Sequence, residues 1–319
     1  MLRSLFISLS KSAWAKKTIR GWKIAWRTAS RFVAGERLED AIHAVKELNA
    51  QGINATLDHL GESVSNQEEA KSATEEILHI LDEIDRSGIR SNVSIKLTQI
   101  GLVLDKDLCK QNLARILERA KKLNNFVRID MEDSSITEIT LQVFRDMRER
   151  GFHDLVGIVI QSYLYRSEKD VTALVGEKAR IRLCKGAYDE PAHIAFPKKR
   201  DVDKNYDRLV VRLIDGSLSS GQPTHAKDRV PPITALATHD EKRIAHAKAY
   251  AHRVNLPKEA LEFQMLYGIR RNLQEELVRD GFPVRVYVPY GREWYPYFMR
   301  RLAERPANLW FFLSNFFRG

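Results

Sequence analysis

The stretch Arg180-Ile181-Arg182-Leu183-Cys184-Lys185-Gly186-Ala187-Tyr188 opens as an alternation of basic and apolar residues and then breaks at a glycine. Period-2 alternation is the pattern of a β-strand. At Gly186 the backbone is free to turn sharply or to let a ligand come close. Two cations, Arg182 and Lys185, stand at the break, and the aromatic Tyr188 follows. Arginine offers a rigid fork of donors, glycine removes side-chain bulk, and tyrosine provides a stacking face. Such a strand end suits an electron-rich planar ligand. The plainer reading is a strand end with solvated cations.

On both sides of this stretch the chain alternates. Apolar strand-like segments fall at 53–58, 92–97, 126–131, 156–161, 232–238, 261–266 and 284–289. Segments of helical periodicity fall at 36–50, 67–87, 107–122, 135–150, 167–175, 203–219, 241–253, 269–280 and 295–304. Gly52, Gly88 and Gly151 punctuate the helix ends. Strands regularly alternating with helices predict an α/β protein with a parallel sheet, closed into a TIM-type (βα)8 barrel and preceded by extra N-terminal helices. An open doubly wound sheet is the alternative. We read 1–319 as one domain, with a basic helical arm at 1–40 and the barrel at 41–319. Near the C-terminal strand ends lie Asp58, Lys96, Asp130, Gln161, Arg182, Thr238, His239, Gln264 and Tyr287. A ring of donors and acceptors at that end is where barrel enzymes keep their chemistry.

Composition sets outer bounds. The chain has 319 residues, 44% of them hydrophobic and 29% charged, which is the balance of a globular protein. Its two cysteines, Cys109 and Cys184, are not in a paired or metal-binding spacing. That argues against a disulfide framework and for a reducing compartment. No apolar run approaches the ~18 residues of a membrane span. No GxGxxG, GxxxxGK[ST] or HExxH occurs, and no metal site is expected. The expected location is cytoplasmic.

The net charge of +10 is unevenly spread. Residues 1–31 hold Arg3, Lys11, Lys16, Lys17, Arg20, Lys23, Arg27 and Arg31, no acid, and the interleaved Trp14, Trp22 and Trp26. Three readings stand: a basic segment resting on the inner face of the cell membrane, a transit peptide, or first helices with tryptophans packed inward. Nucleic-acid binding has no motif to support it.

The segments SIKL (94–97), RIDMED (128–133), IQSYLYR (160–166), RLCKGAY (182–188), ATHD (237–240), EFQMLYG (262–268), VYVPYG (286–291) and the pair Arg300-Arg301 resemble those of proline dehydrogenases, most closely the short monofunctional bacterial form. The likeness runs in order from about Phe32 to the end. It implies a distorted (βα)8 barrel that binds FAD without a Rossmann fingerprint. The implied activity is oxidation of L-proline to 1-pyrroline-5-carboxylate by hydride transfer to flavin N5, with electrons passed to the membrane quinone pool. In that resemblance Arg300, Arg301 and Lys96 hold the substrate carboxylate. Tyr188, Tyr287 and Leu183 wall the ring, and Glu62 gates the pocket. Arg182 faces flavin N5. Lys185, Gly186, Ala187, Gln161, Thr238, His239, Met131 and Gln264 contact the cofactor. Asp130 is an organiser that orients cations such as Lys96. The residues agree with this chemistry. A zwitterion's carboxylate needs a cationic clamp, and Arg300 and Arg301 lie about 100° apart on a helix.

Rival readings remain open on the sequence. One is a Schiff-base aldolase on the same barrel, using Lys96 or Lys185. Another is a non-enzymatic basic scaffold, which leaves the ring of strand-end polar residues unexplained. A third is a hydroxyproline-directed relative, against which the tyrosine at 287 counts.

Overall fold

The computed structural model describes residues 23–61, 63–220 and 228–304 of the chain. In chain order its main elements begin with α1 (Lys23–Ala29), α2 (Leu38–Ala50), β1 (Asn54–His59), α3 (Gln67–Arg86), β2 (Ser91–Ile95) and α4 (Lys106–Lys122). There follow β3 (Val127–Ile129), α5 (Thr137–Met147), β4 (Val156–Gln161), α6 (Ser167–Gly176), β5 (Arg180–Cys184) and α7 (Lys199–Ser220). The last are β6 (Thr234–Ala237), α8 (Glu241–Arg253), β7 (Leu261–Leu266), α9 (Arg271–Arg279), β8 (Val284–Tyr290) and α10 (Trp294–Glu304). Several helices begin where a short polar side chain satisfies free N–H groups. Asn66 accepts from Glu69 N at 2.9 Å, Asp105 from Asp107 N at 2.7 Å, and Asp240 from Lys242 N at 3.1 Å.

Every strand pairs in parallel with the next, and β8 returns to β1, from Asn54 against Arg285 to His59 against Tyr290. The sheet is therefore closed, and the open-sheet alternative is excluded. Alternation along the strands sorts the residues. Leu57, Val93, Ile95, Val127, Ile129, Ile158, Ile160, Ile181, Leu183, Val286 and Val288 join the helices in one continuous core. Each such side chain, fully buried, contributes about 1.5–3 kcal/mol.

The barrel lumen is unlike that shell. Side chains of β2, β5, β7 and β8, and of Asp130 just after β3, bond one another across non-neighbouring strands, which only the interior allows. Buried in it are Asn92, Arg128, Arg180, Arg182, Glu262, Gln264 and Arg285. The segment leading into β6 closes the N-terminal end. Its Arg229 is 1% exposed and donates to Asp85 Oδ1 at 2.8 Å and to the carbonyls of Ile84, Ile89 and Leu123. A cation there also meets the negative ends of α3 and α4. Arg128 crosses the lumen to the carbonyl of Arg180 at 2.6 Å, over Gly157.

One helix departs from the regular pattern. The flank between β1 and β8 is packed by α2, whereas α10 packs against α1. It belongs to a second apolar cluster of Ala29, Phe32, Val33, Leu60, Ile269, Trp294, Tyr295, Tyr297, Phe298, Met299 and Leu302, with Tyr287 and Leu266 against it. Leu60, Leu266 and Ile269 follow or end β1 and β7, so α10 sits over the C-terminal mouth. Trp26 packs on Trp294 with ring centroids 5.4 Å apart, which is the inward-packed reading for that residue. Trp14, Trp22 and the cations up to Arg20 lie outside the described residues. Among the described residues, no helix is long and apolar enough to cross a membrane.

A Cβ at Gly157 would stand 2.4 Å from Arg128 Nη1 and 2.7 Å from the Arg180 carbonyl. Gly157→Ala should therefore cost about 1–3 kcal/mol of overpacking, read as a lower denaturant midpoint with unchanged slope. An unchanged midpoint would show that Arg128 does not need this passage.

Candidate active site

Alternation aims the even-numbered residues of β2, β3 and β5 into the lumen, and the site grows from their order along each strand. Asp130 follows β3 directly, and its carboxylate is the common acceptor. Oδ1 takes the hydroxyl of Ser94 at 2.6 Å and Arg182 Nη1 at 2.9 Å. Oδ2 takes the phenol of Tyr287 at 2.7 Å. Arg182 also donates from Nε to Gln264 Oε1 at 2.5 Å, and its guanidinium lies 5.4 Å from the centre of the Tyr287 ring. Arg182, Gln264 and Tyr287 sit within their strands rather than at the ends, one layer below the mouth.

Lys96 stands one alternation above Ser94. Its Nζ donates to Asp58 Oδ1 at 2.8 Å. Asp58 is thus the lysine's ion partner, while Asp130 bonds Arg182 and Tyr287 and acts on Lys96 through its charge. The Asp58 and Asp130 carboxylates outweigh burial and hold the Lys96 ammonium above its ordinary range. A lysine ion-paired in this way is poorly suited to the Schiff-base reading, which needs one that readily loses its proton. Lys185 donates to two carboxylates, Asp203 at 2.5 Å and Asp240 at 2.8 Å.

Tyr188 lies in the bend after β5, half-buried. Burial pushes its phenol up to about 12 against the field of Arg300, and Glu132, Lys96 and Asp130 act on it too. Tyr188 is therefore within electrostatic reach of all four. It stays neutral at physiological pH, as does Tyr287, which burial and the Asp130 charge push far above the ordinary phenol range. Arg300 is half-buried and Arg301 buried, with the Arg301 guanidinium 5.0 Å from the Tyr297 ring centre. Arg300 comes within the field of Tyr188 because α10 lies over the mouth.

The remaining expected cofactor residues gather on one side. Gln161 ends β4 and donates from Nε2 to the carbonyls of Met131 and Glu132 at 3.3 and 3.2 Å. Its Oε1 is buried with no hydrogen-bond partner. Thr238 Oγ1 accepts from Asp240 N at 3.1 Å, and His239 Nε2 accepts from Leu266 N at 2.9 Å. Gly186 has φ +108° and lies against the Tyr163 ring, where a Cβ would come within 2.2 Å. Ala187 is half-buried beside it. Leu183 alternates away from Arg182 into the helix-side core, not toward the ring wall that the resemblance implies. Glu62 lies outside the described residues. An unfilled buried acceptor at Gln161 and a cation at Arg182 fit a planar cofactor with N–H donors and developing negative charge, whereas the glycine at 186 is required by the Tyr163 ring. No cluster of metal ligands occurs among the described residues.

Sequence reasoning passed over Ser94, Glu132 and Glu262 and gave Asp58 no role. A period-2 reading would have found two of them, since Ser94 precedes Lys96, and Glu262 precedes Gln264, by two residues.

A closed (βα)8 barrel with charged and tyrosine side chains converging at its C-terminal mouth is the construction of a barrel enzyme. The chain belongs to the proline dehydrogenase family, whose profile matches residues 41–313. It is 41% identical over 312 residues to "Proline dehydrogenase 2" of Bacillus subtilis, covering 97% of this chain and 96% of that one. It is 42% identical over 297 residues to "Proline dehydrogenase" of Deinococcus radiodurans, covering 92% and 91%. Among solved structures it is similar to proline utilization A from Bdellovibrio bacteriovorus inactivated by N-propargylglycine, with a TM-score of 0.79 and 27% identity over 88% of this chain. The chain spans 33% of that longer protein.

Glu132 yields a pH test. Burial raises its carboxyl above the ordinary 4.5, against hydrogen bonds from Thr98. The folded protein thus holds this proton more tightly than the unfolded chain. Stability from this group is full below the ordinary value and falls as pH rises toward the folded one. Glu132→Gln should remove that fall, so its melting temperature gains on the parent's as pH rises through the window. Parallel curves for the two proteins would show that Glu132 titrates normally.

Proposed function

We propose that the chain is a flavoenzyme that oxidises L-proline to 1-pyrroline-5-carboxylate, the first step of proline breakdown. A cationic, tyrosine-lined mouth on a chain of the proline dehydrogenase family carries this reading. Arg300, Arg301 and Lys96 supply positive charge for the carboxylate of the amino acid. The neutral phenols of Tyr188 and Tyr287 offer faces for its aliphatic ring. Asp130 fixes Tyr287 and Arg182 rather than accepting a substrate proton, since both its oxygens are already hydrogen-bonded.

FAD, bound beside Arg182, supplies the two-electron acceptor for the hydride that leaves the ring carbon next to nitrogen. Gln161, Met131, Thr238, His239, Lys185, Gly186, Ala187 and Gln264 are the residues assigned to hold it. Arg182 places a cation where negative charge grows on reduction. The onward acceptor is a membrane quinone, which calls for transient contact of the enzyme with the bilayer surface.

Anaerobic addition of L-proline to the purified protein should bleach an oxidised-flavin spectrum. A colourless protein, or one whose flavin ignores proline, would overturn the proposal. Arg300→Met and Arg301→Met should each retain the flavin yet lose about 1.5–3 kcal/mol of transition-state binding, roughly tenfold or more in kcat/KM. Wild-type kinetics in both would sink the clamp.

The basic arm gives a separate test of membrane contact. Each cation near an anionic surface contributes about 1 kcal/mol. Lys16, Lys17, Arg20 and Lys23 changed together to Gln should abolish salt-sensitive co-sedimentation with anionic vesicles. Equal sedimentation of the two folded proteins would reject the arm as the contact.

A further inference from the structure

The lumen contains a carboxylate that the proposed reaction does not use. Glu262 lies on β7 with 0% exposure, two residues before Gln264 and on the same inward face. Its Oε1 accepts from Gln264 Nε2 at 2.5 Å. Gln264 Oε1 in turn accepts from Arg182 Nε. On its other side Glu262 takes Arg285 Nε on both oxygens, at 3.0 and 3.1 Å. Arg285 is itself pinned, from Nη1 to the carbonyl of Ala55 and from Nη2 to that of Asp228, both at 2.7 Å. An unbroken line of hydrogen bonds therefore runs from the floor of the barrel to the cation at the reaction centre.

We propose that Glu262 is a positioning residue: it sets the amide of Gln264 so that the carbonyl oxygen faces Arg182, and thereby holds the guanidinium in place. A glutamine amide is ambiguous on its own, because oxygen and nitrogen have nearly the same shape. Here its two neighbours decide it. Arg182 Nε can only donate and an ionised carboxylate can only accept, so a single orientation satisfies both. An ion pair buried at this depth is weak evidence for stability, since well-packed apolar residues often serve as well or better. Orientation is what apolar residues cannot supply. Arg182 needs it, because its Nη1 also serves Asp130 and Ser94, and a small rotation about Nε would break those contacts.

The consequence rests on the flavin reading above: a held cation favours the reduced, negatively charged cofactor. Glu262 Oε1 accepts from both Gln264 and Arg285, so a glutamine could keep both bonds and the test removes the acceptor instead. In Glu262→Met, Gln264 Nε2 loses its partner, and its amide is free to turn its NH2 on Arg182, donor to donor. The expected result is a flavin midpoint potential lowered by about 30 mV, a tenfold change in the two-electron reduction equilibrium. The Nε–H of Arg182, followed by NMR in the cofactor-free protein, should also exchange faster with solvent.

If Glu262 acts through the amide, its effect on the potential largely disappears in a Gln264→Met background. A shift that persists there is a through-space field and overturns the relay, as does wild-type potential in flavin-loaded Glu262→Met. Should that variant not fold because Arg285 is left unpaired, Glu262→Met combined with Arg285→Met removes both charges, and wild-type potential and Arg182 exchange in it overturn the proposal equally. A parent protein that binds no flavin refutes the flavin reading instead, and the Arg182 exchange comparison then decides the relay by itself.

Discussion

The site depends on one half-buried carboxylate satisfied from three strands. Asp130 holds Ser94 of β2, Arg182 of β5 and Tyr287 of β8 at hydrogen-bond distance. A carboxylate taken out of water is costly unless its lone pairs are met, and removing one partner of such a pair commonly costs about 3–5 kcal/mol. The strands carrying those partners are therefore held in register by the same contacts that shape the mouth. The ring of Tyr287 is oriented by its hydroxyl, and the plane of Arg182 by its fork. Fold and site share these bonds.

Around that point the lumen is strongly cationic. Arg128, Arg180, Arg182 and Arg285 are all buried, against few carboxylates. The strain shows in Arg128, which burial and then the charges of Arg182 and its neighbours push well below the ordinary guanidinium range. Positive potential focused in a low-dielectric barrel attracts anions to its mouth. It also favours a cofactor that gains negative charge on reduction. The apolar core has moved outside the barrel, between strands and helices, where Leu, Ile and Val bury their surface. The lumen is thereby left for chemistry.

Capping the mouth with α10 instead of leaving it on the flank has a second effect. It brings Arg300 into the field of Tyr188. A helix held by an apolar cluster of its own, with Trp26 and Phe32 from the start of the described chain, closes the site from above. The N-terminal residues that pack there belong to the same unit as the last helix.

Much of this was legible in the letters. Regular alternation of segments such as 156–161, 241–253 and 261–266 settled element type and order, because periodicity is local and survives any packing. The eight quoted motifs placed the candidate residues in order around a mouth. What periodicity cannot hold is distance between strands. Nothing near Lys96 in the chain says that its partner is Asp58 rather than Asp130; the choice is made by strand tilt and closure, which bring β1 beside β2. Nothing near Glu262 says that it faces Arg285 and, through Gln264, Arg182. And the helical pattern of 294–304 is the same whether that helix lies on the flank or over the mouth. Only competition for apolar surface, won by α2 on the flank, decides that Arg300 comes within the field of Tyr188.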